Sequence, residues 1–282
     1  MTVSGGWLVR LARVFAYLVV TLPLMPVQAV LIALRSPLAE RLPVVYHRLV
    51  CRILGLRLRC RGTRSTARPT LFIANHTSYL DIEILGAAIG GSFVSKSEVA
   101  GWPLFGWLAK LQRTVFVDRR ARSTATQRDV IGARLGHGDD LILFPEGTSG
   151  DGIHILPFKS ALFSVAELMP GGRPLAVQPV SVAYVRLDGM PLGRFYRPFL
   201  AWYGDMTIGP HLWTVLGLGM VEVAIIFHPP VTFGAFGSRK ALAEYCHRVV
   251  AGGVAAALAG RLDAAERPPA AVAPAASAAG GG

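Results

Sequence analysis

A run of 21 uncharged residues, VFAYLVVTLPLMPVQAVLIAL at positions 14–34, stands between Arg13 and Arg35. As a helix it would measure about 31 Å at 1.5 Å per residue, which matches a bilayer core of about 30 Å. Pro23 and Pro26 lie inside it, and a proline in a helix interior removes a backbone donor and kinks the helix. A broken or re-entrant hairpin therefore competes with a straight span. Arg10 and Arg13 precede the run, and Arg35, Arg41, Arg48 and Arg52 follow it. Basic residues on both sides give the positive-inside rule no clear direction and suit a segment that dips into one leaflet and returns. Val27-Gln28-Ala29 resembles a weak signal-peptide cleavage site, but the apolar run continues past it to Leu34.

Composition agrees with a membrane-associated chain: the hydrophobic share is 52% and the mean hydropathy +0.45 over 282 residues, high for a soluble protein. Lys+Arg 29 against Asp+Glu 17 gives a formal charge of +12, which suits an anionic partner such as a phospholipid surface, an acidic metabolite or a nucleic acid. Nucleic acid is disfavoured, because the Arg-rich stretch 48–68 lacks the interleaved aromatics that stack on bases. Cys51, Cys60 and Cys246 are an odd number without CxxC spacing, so neither a disulfide framework nor a zinc site is indicated. A reducing, cytosol-facing location is expected.

The next stretch, RLPVVYHRLVCRILGLRLRCRGTR at 41–64, mixes apolar residues with Arg at near-helical spacing, as an interfacial or basic surface helix would. From about residue 70, short continuous apolar runs alternate with longer helical patterns. Strands are expected at 71–74, 114–117, 141–144, 177–184 and 221–227, and helices at 79–89, 102–112, 122–136, 158–169 and 238–259. Continuous rather than alternating hydrophobicity marks strands covered on both faces. The expected fold is α/β, a mainly parallel mixed sheet flanked by helices and preceded by a membrane-anchoring helical segment. The expected organisation is an N-terminal anchoring region over 1–62, a catalytic domain over 63–263 and a disordered, small-residue and Pro-rich tail over 264–282.

NHTSYLD, at 75–81, follows the apolar run LFIA directly. Ser78 and Asp81 can be read as a short capping box, but His76 has no place in that reading. On one continuous helix His76 and Asp81 would lie on different faces. With His76 in the strand-to-helix turn and Asp81 in the first helical turn, the carboxylate can fold back onto the imidazole. It then fixes one tautomer and leaves the other nitrogen free to take a proton from a hydroxyl. GTSGD at 147–151 does not meet the GxSxG hydrolase elbow, the histidines form no HExxH, and GLGMVE lacks the third glycine of a dinucleotide fingerprint. LILFPEGTSGDG places Glu146, Gly147 and Thr148 beyond a strand end, where sheet ligands bind. RTVFVDRR places Arg119 beyond another strand.

Together these stretches resemble one family over roughly residues 70–185. NHTSYLD matches the HX4D motif of the glycerolipid acyltransferases of the 1-acylglycerol-3-phosphate acyltransferase type; TVFVDR is similar to their second motif, FPEGT to their third and VQPVSV to their fourth. The resemblance implies that His76 deprotonates the acceptor hydroxyl, that Asp81 orients His76, and that the oxygen attacks an acyl thioester directly. It implies that Arg119, Glu146, Gly147 and Thr148 help bind the acceptor head group. No metal and no resident cofactor are implied; acyl-CoA or acyl carrier protein brings the acyl group as co-substrate. The implied partners are the lipid bilayer and a lyso-lipid acceptor, and the implied location is the inner membrane with the catalytic domain facing the cytoplasm.

Two departures stand out: Arg113 replaces the usual opening Gly of the second motif, and Ser149 replaces the Arg that often follows FPEGT. Loss of that Arg removes a bidentate phosphate ligand. Downstream, WYGDMTIGPHLW is similar to bacterial acyltransferases that complete ornithine lipids. The expected acceptor is 1-acylglycerol-3-phosphate, with a lyso-ornithine lipid as the alternative.

Overall fold

The computed structural model describes residues 6–117 and 124–262; Arg119, the first two positions of the helix expected at 122–136, and the tail from 264 lie outside them. The uncharged run forms α1 (Trp7–Ala33), a single helix that continues through Pro23 and Pro26. Each proline costs one ladder bond, and the remaining bonds carry the helix. A hairpin does form, but its turn falls at the end of the run, at 34–37, and α2 (Leu38–Leu54) returns along α1. Tyr46 on α2 joins Thr21 and Tyr17 on α1 through hydroxyl contacts of 3.1 and 3.3 Å. The fully buried residues of α1 are polar, Thr21 and Gln28, with Val14 and Tyr17 packed against the core beside them, while Trp7, Phe15, Val19, Leu22 and Val30 are exposed.

Gly55, with φ 75°, ends α2 in the left-handed conformation that glycine adopts without strain. The following LRLRCR is therefore not helix but β1 (Leu56–Arg61). Its alternation of Leu and Arg is the period-2 signature of an edge strand with one wet face, which the expectation of an interfacial helix overlooked. The remaining strands are β2 (Thr70–Ala74), β3 (Ser92–Lys96), β4 (Val115–Val117), β5 (Leu141–Leu143), β6 (Ala176–Leu187), β7 (Met190–Pro191) and β8 (Val221–Phe227). They form one eight-stranded sheet ordered β1-β8-β6-β2-β5-β3-β4, with β7 paired to β6. The pairs β1/β8, β6/β2, β2/β5, β5/β3 and β3/β4 are parallel, whereas β6/β8 and β6/β7 are antiparallel.

The helices that follow are α3 (Leu80–Ala88), α4 (Phe105–Leu111), α5 (Thr124–Gly136), α6 (Ile208–Val215) and α7 (Arg239–Leu258). The helix expected at 158–169 is instead a 3-10 segment, Ser160–Glu167; its consecutive buried residues 163–166 follow no 3.6-residue stripe. β2 shows why the sheet strands read as continuous apolar runs. Phe72 and Ala74 face a core built with α2 and α3 (Val50, Leu54, Ile84, Leu85), while Leu71 and Ile73 face another built with α5 and α7 (Leu135, Leu242, Cys246). Burying each large side chain contributes about 1.5–3 kcal/mol. Residue pairs such as Ile73 and Leu143 fix the parallel register of β2 and β5, so the loops after these two strands emerge side by side.

Candidate active site

Those two loops carry both sequence motifs. Asn75 follows β2 with a fully buried side chain whose Nδ2 donates to the Val182 carbonyl (2.9 Å) and whose Oδ1 accepts from the Val182 N–H (2.8 Å). This peptide-like bridge ties the start of the turn to β6. His76 then sits outside the helix, and α3 begins at Leu80. The expected Ser78 cap is not formed; the boundary residue is Tyr79, and Ser78 Oγ lies 3.4 Å from the Leu80 N–H. Asp81 instead folds back, its Oδ2 accepting from the backbone N–H groups of Thr77 (2.6 Å) and Ser78 (2.9 Å). The capping and dyad readings therefore coexist in one carboxylate.

The same Oδ2 accepts from His76 Nδ1 at 3.0 Å, and Oδ1 accepts from the Tyr184 hydroxyl at 2.7 Å. Four donors thus satisfy an Asp81 side chain that is 0% exposed, while the His76 ring keeps 20% of its surface open. An ionised carboxylate only accepts, so His76 carries its proton on Nδ1. Nε2 has no hydrogen-bond partner among the described residues. The ring is stacked on Phe144 at the end of β5, with centroids 4.2 Å apart and planes inclined by 17°. Orientation by one nitrogen and availability of the other is the geometry a general base requires.

Glu146 occupies a different place from the pocket wall its motif suggested. It is buried, and its two oxygens accept from the His76 N–H (2.7 Å) and the Leu156 N–H (2.8 Å). Burial pushes its carboxyl up to about 7, against the pull of these two bonds. Its geometry is that of a clamp between the FPEGT loop and the His76 turn, reinforced by the Gly150 N–H donating to the His76 carbonyl at 2.9 Å. Gly147 turns the loop with φ 74°, and Thr148 is exposed beside it. Ser149 donates its hydroxyl to the Trp202 carbonyl, and the Trp202 N–H donates to the Thr77 carbonyl at 2.9 Å. The turn is thereby held from both sides. Arg113, in the position where glycine was expected, has φ 60°; its guanidinium meets Asp139 at 2.9 Å and Glu40 at 3.1 Å, which offsets the backbone strain.

Tyr184, Phe144 and Trp202 escaped the sequence reading. Tyr184 left a signal, since a tyrosine at the end of VQPVSVAY, in a strand expected to be covered on both faces, needs a partner for its hydroxyl. Next to the turn, a cavity of about 180 Å³ lies between α1, α2, the start of α3 and the Trp102–Leu111 segment, lined mainly by apolar residues including Leu24, Ile82, Phe105 and Leu108. It shares Tyr79 with the turn but does not include His76 or Asp81.

Residues 57–183 match the acyltransferase family model. A lyso-ornithine lipid O-acyltransferase from Brucella abortus is 43% identical over 88% of this chain and 94% of its own length. A 1-acyl-sn-glycerol-3-phosphate acyltransferase from Neisseria gonorrhoeae is 31% identical over 56% of this chain and 58% of its own. The crystal structure of the 1-acyl-sn-glycerophosphate acyltransferase of Thermotoga maritima shares the fold, with a TM-score of 0.57 and 22% identity over 76% of this chain and 78% of that one. Four motifs in order, the common fold and this level of identity over nearly full length make the chain a member of the acyltransferase family.

Proposed function

We propose that this acyltransferase moves an acyl group from a thioester to the hydroxyl of a lyso-ornithine lipid. The observation that carries acyl transfer is the open Nε2 of His76 with Nδ1 held by Asp81. Nε2 takes the hydroxyl proton as the acceptor oxygen attacks the thioester carbonyl carbon. Asp81 stabilises the imidazolium, and collapse of the tetrahedral intermediate breaks the C–S bond. The proton then passes from His76 to the departing thiolate, so a free thiol and an ester leave the site. The donor is acyl-CoA or acyl carrier protein, without a resident cofactor.

The lysophosphatidic acid reading gives way to its alternative on two grounds. The Brucella relative is more similar, over more of the chain, than the Neisseria one. Ser149, moreover, spends its hydroxyl on a backbone carbonyl and supplies no cation to the pocket, whereas a phosphate monoester favours a guanidinium fork.

The setting we propose is the cytoplasmic face of the inner membrane, with α1 lying in one leaflet. Arg13 Nη1 donates to the carbonyls of Leu216 (3.1 Å) and Leu218 (2.6 Å), and Gln28 Nε2 donates to those of Ala39 (2.9 Å) and Leu111 (3.0 Å). These bonds pin α1 to the catalytic domain at points about 22 Å apart, which favours a helix lying along the domain over one leaving it to cross the bilayer. The outward apolar row then meets lipid, and the cavity beneath α1 suits an acyl chain. Three free cysteines accord with a reducing side.

The test is an assay of the purified enzyme with one acyl donor and both acceptors. Lyso-ornithine lipid should be acylated at a kcat/KM at least about tenfold above lysophosphatidic acid; the reverse order would restore the phosphate acceptor.

A further inference from the structure

Arg197 lies in the 3-10 segment Arg194–Phe199, five residues before Trp202, and its guanidinium approaches the FPEGTSGDG loop. Nη1 reaches the Gly152 carbonyl at only 3.5 Å, and Nε, shielded from solvent, has no acceptor. The neighbouring carboxylate does not serve it: Asp151 accepts from the N–H groups of Ile153 (2.7 Å) and His154 (2.8 Å) and from His154 Nδ1 (2.9 Å). Arg10 and Arg64 also leave Nε without an acceptor, but Arg64 pairs its Nη2 with Asp140 and Arg10 lies over the Trp213 ring. Partial burial, followed by the nearby Arg194 charge, holds the Arg197 pKa below its ordinary value, with Asp151 opposing. The group is a half-buried cation that makes no ion pair within 4 Å among the described residues, and Asp151 reaches it only as a longer-range charge.

The loop that Arg197 touches lies against the turn that carries the candidate base. Gly152, with φ 73°, passes so close to the dyad turn that a Cβ there would stand 2.8 Å from the Thr77 methyl, and Thr77 adjoins His76. Position 149, three residues earlier in the same loop, offers a hydroxyl that already serves Trp202.

We propose that Arg197 binds the carboxylate of the acceptor's amino-acid head group, supplying from a different segment the cation that position 149 lacks. The inference rests on the lyso-ornithine lipid reading and deepens it. An ornithine head group carries one carboxylate, and a planar guanidinium fork matches one carboxylate through paired hydrogen bonds. Arg197 acts on binding, since the proton transfer belongs to His76.

The experiment compares lyso-ornithine lipid with its carboxyl methyl ester, using one acyl donor and the full-length enzyme. Wild type should lose at least about tenfold in kcat/KM on the ester, mainly through KM. Arg197→Gln should treat the two acceptors alike, at about the wild-type value for the ester, and Arg197→Lys should retain part of the discrimination. Each ratio is taken on a single preparation, so partial misfolding cancels. A wild type indifferent to esterification, or an Arg197→Gln enzyme with the wild-type ratio, overturns the inference. If Arg197→Gln cannot be recovered folded, an Arg197→Lys ratio equal to wild type overturns it as well. Wild type inactive on lyso-ornithine lipid itself would overturn the proposed function, which distinguishes that failure from this one.

Discussion

Two histidine–carboxylate pairs stand on α3, and the chemistry of their members is the same. Asp81 holds His76 at 3.0 Å, and Glu83 holds Nδ1 of His47, from α2, at 2.6 Å. What differs is the other ring nitrogen. His47 Nε2 faces Gln112 Oε1 at 2.8 Å, and the amide cannot be turned without loss because its Nε2 donates to the Gly91 carbonyl. With acceptors on both sides, His47 carries both protons; its side chain is 4% exposed. Burial pulls its pKa down, but the Glu83 charge and the two acceptor bonds outweigh this and hold it above the ordinary histidine value. Nor has the ring room to move, since a Cβ at Gly86 would stand 2.3 Å from it. A His–carboxylate pair can serve as a base only where its second nitrogen is left open; closed on both sides, it is a strut between α2 and α3.

The largest contrast should come from His76→Ala. Turnover should fall by about 10²–10⁴, the usual effect of losing a general base, with the melting temperature nearly unchanged. A variant that melts early would place His76 in the structural class with His47.

His47→Leu should do the opposite, leaving Glu83, which is 18% exposed, without its partner at a cost of about 2 kcal/mol in stability, while activity per folded molecule persists. The pair also predicts a pH dependence. Because the folded pKa of His47 is raised, its stabilisation is fully present below the unfolded histidine value of about 6.5 and is lost as pH rises through the folded value. Denaturant titrations of wild type and His47→Leu should therefore converge on the alkaline side of that window; a constant gap across pH would show that His47 acts through packing alone.

Tyr184→Phe sharpens the comparison at the smallest scale. It removes one of four donors to Asp81, and a hydrogen bond to a charged group is worth about 1.5–3 kcal/mol. Part of that should be felt as a drop in kcat of about tenfold with KM little changed. Equal kcat would mean that the remaining three donors alone orient the carboxylate.

The strands at 71–74, 141–144 and 177–184 were legible because each is covered on both faces, which forces a continuous apolar run. β1 was missed because a wet face breaks that run into alternation, and β3 because only Phe93 and Val94 in SFVSK are apolar. α6 was hidden by Gly209 and Pro210, which sit in its first turn, where their cost is low. The prolines of α1 left a broken hairpin and a straight helix open, and the structure takes the straight helix, with the chain turning only at 34–37.

By itself the sequence determined what is local. The spacing of His76 and Asp81 lets one carboxylate reach back across a turn, and the apolar content of 14–34 requires that segment to meet lipid or core. Tertiary structure decided everything that depends on a partner distant along the chain. Asp81 needs Tyr184, 103 positions on, to complete its four donors; Glu146 becomes a clamp only because β2 and β5 lie side by side. His47 is closed by Gln112, 65 positions away. Short-range spacing is constrained by bond geometry and is readable from residue types, whereas the partner of a buried polar atom is fixed by which strands pair, and no stretch of sequence states that alone.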